Sequence, residues 1–173
     1  FGTAESQSKT LALGSPFDYK KQLALHVPSD MPSPKDENYE TALAKKIPQY
    51  LKLTDGHAFV LFTSYGAMNR VYDLALPEMT KEGWALLRQG QLLSRSKMLE
   101  QFKQTPRSVL FGTDTFWQGI DIAGDALQNV ILTKLPFPVP SHPVVEAKSE
   151  WIEAHKGQGT AFFEYHLPEA IMK

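Results

Sequence analysis

The chain has 173 residues, of which 42% are hydrophobic, 21% charged and 11% aromatic, the proportions of one ordinary soluble domain with a real core. No apolar run approaches the roughly 20 residues of a membrane helix. The absence of cysteine removes disulfides, thiol nucleophiles, thiolate zinc sites and cysteine-ligated iron–sulfur clusters from this chain. With 18 Lys and Arg against 19 Asp and Glu, the net charge is −1, so the basic balance of a free-standing nucleic-acid module is missing.

Taken from its start, the chain opens at Phe1 with neither Met nor a signal pattern, which suggests a piece of a larger, cytoplasmic protein. Phe1 to Thr10 is small and polar without a period. Leu23 to Val27 reads as a short strand, and Pro28, Pro32 and Pro34 then break regular structure. Tyr39, Ala42, Leu43, Ile47 and Tyr50 predict a helix over Asn38 to Leu53, kinked or divided at Pro48. Asp55-Gly56 marks a turn. His57 to Thr63 has the length and apolar content of a buried strand. Met68, Val71, Tyr72 and Ala75 mark a helix ended near Pro77, and Trp84 to Leu87 a second strand. Met98, Leu99 and Phe102 predict a helix with Ser94 or Ser96 as N-cap. Ser108 to Thr113 and Asn129 to Leu135 read as strands, Val144, Ala147, Trp151 and Ala154 as one face of a helix, and Phe162 to Met172 as a last helix.

Strand and helix alternate with short connections, which predicts an α/β domain with a mostly parallel sheet covered on both faces. Ligands in such sheets bind at the carboxyl ends of the strands. That rule selects Thr63-Ser64-Tyr65, Thr113 through Asp121, and Leu135 through Ser141. The most informative stretch is Phe111 to Ile122, where a buried strand delivers a hydroxyl and a carboxylate, then an aromatic pair, then Gln118-Gly119-Ile120-Asp121. Gly119 permits a sharp turn or a close backbone approach to a ligand. Thr113 could hold a phosphate, and Asp121 could accept from a ribose hydroxyl or orient a cation. The same residues also suit a capped turn with Trp117 packed in the core.

The Thr113-Asp114-Thr115-Phe116-Trp117-Gln118-Gly119-Ile120-Asp121-Ile122 block resembles motif V of superfamily 2 helicases, in the form used by the DinG branch, which includes the xeroderma pigmentosum group D helicase. Phe59 to Tyr65 resembles motif IV. Leu13 to Tyr19 is similar to the segment these proteins carry between motif III and the second motor domain, and Lys134 to Ser141 with Glu146 also fits. The resemblance implies a RecA-like, P-loop NTPase-type three-layer domain over residues 21–173, the second motor domain of a DNA helicase, with residues 1–20 as the segment leading into it. No Gly-x-x-x-x-Gly-Lys-Ser/Thr loop and no Asp-Glu-Ala-His box occurs, and motif VI is expected just after Lys173.

In such a motor two lobes close on ATP and grip one strand, because phosphate cradle, magnesium and positive charge must converge and one lobe cannot supply all three. The resemblance therefore implies ATP and Mg shared with a first motor domain, single-stranded DNA as partner, and no catalytic residue or metal ligand in this piece. It places Thr63, Ser64, Tyr65, Thr113, Asp114, Thr115 and Trp117 on the nucleic acid, the hydroxyls toward phosphates and the aromatics toward bases. Gln118, Gly119 and Asp121 are placed at the nucleotide cleft. A second reading makes the domain the motor-like lobe of a DinG-type exonuclease, with ATP regulating strand holding rather than unwinding. A third is an unrelated α/β binding module. The five histidines have no metal-ligand spacing, Asp114 and Asp121 lack the further carboxylates of a two-metal site, and Gly157-Gln158-Gly159 reads as a helix stop. The prolines between Pro136 and Pro143 stiffen a loop, and Ser94 to Arg107 is a mildly basic, solvated helix face.

Overall fold

A computed structural model describes residues 9, 11–122 and 124–173; most of the polar Phe1 to Thr10 stretch lies outside them. The chain separates into two compact units, Phe1–Asp30 and Met31–Lys173. The first unit holds one short helix, α1 (Tyr19–Gln22), with Ser15 donating to the Tyr19 hydroxyl at 2.9 Å. The strand expected over Leu23 to Val27 is not formed. Leu23, Leu25 and Val27 are exposed, and the segment has no regular structure. An apolar alternation becomes a strand only when a neighbouring strand takes up its backbone donors and acceptors, and the described sheet is built from β1 to β4, which begin at Ala58.

The second unit runs α2 (Tyr39–Leu51), β1 (Ala58–Leu61), α3 (Tyr65–Lys81), β2 (Ala85–Arg88), α4 (Arg95–Gln104), β3 (Ser108–Gly112), β4 (Asn129–Leu132), α5 (Pro143–Lys156), a π-helical turn (Phe162–His166) and α6 (Leu167–Met172). The four strands form one parallel sheet in the order β2-β3-β1-β4. Its inner strands are buried throughout, as parallel strands covered on both faces must be. Alternate residues of β1 build two cores. Ala58 and Val60, with Phe62 just beyond the strand, join Leu43, Ile47, Leu51, Met68, Val71 and Met79 of α2 and α3. Phe59 and Leu61 join Met98 and Phe102 of α4 on the opposite face, with Phe116. The result is the three-layer α/β architecture of RecA-like domains, helices above and below the sheet.

Two prolines do less than the sequence suggests. Pro48 lies inside α2 without dividing it, and α3 runs through Pro77 to Lys81. A helix-interior proline costs roughly 3 kcal/mol. The turn after Pro77 carries Met79 wholly into the core, and burying such a side chain returns about 1.5–3 kcal/mol. Leu51, also fully buried, holds the last turn of α2 in the same way. In α5 the apolar stripe read from the sequence is the outer face. Val144, Ala147, Trp151 and Ala154 are exposed, whereas Val145 is buried and Ser149 and Ile152 are half-buried. On the inward side Ser149 donates to the Val145 carbonyl within the helix at 2.7 Å and meets His166 Nε2 of the π-helical turn at 3.0 Å. Gly157, at φ +104°, stops the helix.

Candidate functional site

All four strands point the same way, so the loops that follow them emerge along one edge of the sheet. After β1, Thr63, Ser64 and Tyr65 are all exposed. Ser64 caps α3, its Oγ accepting from Ala67 N at 3.3 Å, which satisfies one of the helix's orphan donors. A cleft of about 460 Å³ opens beside them, lined by Thr63, Ser64, Tyr39, Glu40, Arg70 and Lys134, among others. Arg70 donates to both oxygens of Glu40 at 2.7 Å, and this hydrogen bonding holds the Glu40 carboxyl below the usual carboxylate range. The Tyr39 hydroxyl donates to the Thr133 carbonyl and closes the far side of the cleft, and burial raises its pKa. None of residues 135–141 lines this cleft.

After β3 the chain makes a single 3-10 turn, Asp114–Phe116. Gly112 allows this turn to fold back, since a Cβ there would meet the Phe116 ring at 2.8 Å. Phe116 is buried with its ring edge-on to Phe59. Trp117 is half-buried against the same core, its Nε1 donating to the Phe62 carbonyl at 3.1 Å. Phe116 is therefore core, and Trp117 forms a wall of the edge. Asp114 and Thr115 are exposed, but Thr113 is 4% exposed. Its hydroxyl and its backbone N–H both reach the side-chain oxygen of Gln89, at 3.0 and 2.6 Å.

Gln89 is the residue the sequence reading passed over. It follows β2 directly, and its Nε2 donates to the Tyr65 hydroxyl at 2.6 Å and to Thr115 Oγ1 at 2.9 Å. One amide thus ties the β1 loop to the β3 loop. The carboxyl-end rule that selected the other loops applies equally to β2, and would have found it. Arg95 was likewise read as a solvated helix face. Its guanidinium donates to the carbonyls of Thr115, Gln118 and Gly119 at 2.9, 3.2 and 3.0 Å, and so pins the loop. Gly119 has φ +67°, a conformation that favours glycine. Lys103 holds the Asp121 carbonyl at 2.8 Å, while Ile120 and Ile122 pack on the α4 core.

The predicted residues therefore separate into two groups. Thr63 and Ser64 border the cleft on the α2–α3 side of the sheet, and Gln118, Gly119 and Asp121 lie exposed beside α4. Gln89, Tyr65, Thr113 and Thr115 join them in the middle. Among the described residues no three His, Cys, Asp or Glu side chains group as a metal site. No helix there is long and apolar enough to cross a membrane. Residues 47–173, nearly all of the sheet and helices described above, match the family of the helicase C-terminal domain. The chain belongs to that family.

Its relatives agree with the DinG resemblance of the motif blocks. The chain is 39% identical over 169 residues to the ATP-dependent DNA helicase DinG of Photobacterium profundum, covering 96% of this chain and 24% of that protein. It is 37% identical over 160 residues to the ATP-dependent DNA helicase YoaA of Haemophilus influenzae, covering 92% and 24%. Against the 3'-5' exonuclease DinG of Bacillus subtilis it is 32% identical over 175 residues, covering 99% and 19%. The chain thus spans about a quarter or less of the length of these relatives.

Proposed function

We propose that this chain is one lobe of a DinG-type, ATP-dependent DNA motor. It holds the backbone of single-stranded DNA along the carboxyl edge of its sheet, and completes an ATP cleft when a first motor lobe docks. The observation that carries this reading is the junction at Gln89, which links the loop resembling motif IV to the loop resembling motif V. A strand passing over this edge meets exposed Thr63, Ser64, Tyr65, Asp114 and Thr115, with Thr113 and Trp117 forming the wall behind them. Backbone phosphates take hydrogen bonds from hydroxyls and amides without reference to sequence. Gln118, Gly119 and Asp121 face a nucleotide from the α4 side, on a loop held rigid by Arg95 and Lys103. ATP supplies a polarised phosphoryl group and Mg its charge neutralisation. Asp121 offers a single carboxylate, which suits orienting one part of the nucleotide, with the metal ligands on the other lobe.

The test is steady-state ATP hydrolysis and single-strand binding on the same preparation. The chain alone is expected to turn over no ATP with or without single-stranded DNA, and to bind an oligothymidylate at low salt. Thr63→Val with Ser64→Ala should weaken that binding. ATP turnover by the chain alone would overturn the two-lobe reading. The name of the Bacillus subtilis relative supports a second reading, in which the lobe regulates strand holding for an exonuclease. In a polypeptide carrying both lobes, single-strand degradation that ATP modulates, without duplex unwinding, would favour it. Unchanged ATP-dependent activity after replacing Thr113 and Asp121 in a polypeptide carrying both lobes would remove those two residues from the reading.

A further inference from the structure

A side-chain amide has two acceptor sites and two donor hydrogens, and at Gln89 all four are in use. The backbone N–H of Thr113 can only donate, so the atom 2.6 Å from it must be the amide oxygen. That contact fixes the orientation that is otherwise ambiguous for glutamine. The direction of every other bond then follows. Thr113 spends its hydroxyl hydrogen on Gln89. Tyr65 and Thr115 instead receive hydrogens from Gln89 Nε2, so each keeps its own O–H hydrogen for another acceptor. Both of these side chains are exposed, and both oxygens sit on the same nitrogen.

We propose that Gln89 is a positioning residue that sets the Tyr65 and Thr115 hydroxyls as paired outward donors for the phosphodiester oxygens of single-stranded DNA. The assignment rests on the strand-holding reading above. Phosphodiester oxygens are acceptors only, so a pair of hydroxyls polarised as donors selects them. Gln89 does not touch the strand, because its amide has no capacity left.

The experiment is fluorescence anisotropy of a fluorescein-labelled oligothymidylate with the chain at low salt. Gln89→Glu keeps the size of the side chain and the acceptor for Thr113 N, but turns the donor end into an acceptor. Tyr65 and Thr115 must then donate inward, and binding is expected to weaken by about tenfold or more. A new negative charge would weaken binding as well, so the deciding measurement is a double-mutant cycle. Tyr65→Phe and Thr115→Val should each weaken the parent chain and have no further effect in Gln89→Glu. Equal losses in both backgrounds would mean charge alone and would overturn the proposal. Lowering the pH toward about 5 protonates part of the new carboxyl and should narrow the gap to the parent chain. The neighbouring charges Arg88, Arg95 and Asp114 are common to both chains and cancel in that ratio.

Tyr65→Phe and Thr115→Val change only exposed side chains, so they keep the question open should Gln89→Glu unfold. Unchanged affinity in both overturns the proposal. Binding that responds to Thr63→Val with Ser64→Ala but not to Gln89→Glu overturns the Gln89 assignment and leaves the strand-holding reading standing. No binding by the parent chain overturns both. A loss confined to a fluorescent ATP analogue assigns the donors to a nucleotide phosphate and overturns the strand assignment.

Discussion

Individual positions at the sheet edge are constrained by what lies behind them. Gly112 has no room for a methyl group, because the Phe116 ring sits 2.8–3.0 Å from where a Cβ would stand, and that ring is locked against Phe59. Gly112→Ala is expected to cost about 1–3 kcal/mol of stability through overpacking, read as a lower urea midpoint. The pair Arg70–Glu40 gives a pH signature. Glu40 has a lowered folded pKa, so its contribution is present above the ordinary carboxylate range and is lost as pH falls through the lowered value. Arg70→Met should therefore be slightly less stable than the parent at pH 7, with the difference closing below about pH 4 in denaturant titrations. The position of Gln89 at the carboxyl end of β2 marks it as a site candidate, but a lone glutamine does not show which groups it joins. Its importance is a matter of which three side chains the fold brings within 3.0 Å of one amide.

At the scale of elements, helix α4 is both a core layer and a clamp. Ser94 caps it by accepting from Lys97 N at 3.4 Å, and Ser94→Ala should cost about 1 kcal/mol in thermal or denaturant unfolding. Arg95, the next residue, reaches three carbonyls of the β3 loop. Arg95→Ala should leave the unfolding midpoint nearly unchanged, since the side chain is exposed, while amide hydrogen exchange across 115–119 rises. Equal protection in the two proteins would show that the loop holds itself. The strands and helices of the second unit were legible from apolar runs and their spacing. The rotation of α5 was not, since Val144, Ala147, Trp151 and Ala154 form as regular a stripe as the face that is buried. The burial of Val145 and the contact of Ser149 with His166 mark the face that turns inward.

For the whole molecule, the proposed strand-holding and nucleotide-facing residues fall on the two sides of one sheet. The α2–α3 side borders the cleft with Thr63 and Ser64, and the α4 side carries the loop with Gln118, Gly119 and Asp121. Gln89 is hydrogen-bonded to side chains of both the β1 and the β3 loop. With a net charge of −1, the proposed strand holding belongs to the low-salt regime. Affinity for an oligothymidylate should fall steeply between roughly 50 and 200 mM salt if phosphate contacts carry it. A flat salt dependence would exclude them.

The amino-acid sequence alone determined the architecture class and the order of the elements of the second unit. Those follow from local patterns: buried parallel strands need unbroken apolar runs, and caps need hydroxyls. Tertiary structure decided the rest. It left Leu23 to Val27 without regular structure, carried α2 and α3 through their prolines because Leu51 and Met79 had a core to enter, and buried Thr113 while leaving Thr115 open. It also joined residues 24 and 26 positions apart at Gln89. Long-range hydrogen bonds and burial depend on which surfaces meet, and no local pattern carries that information.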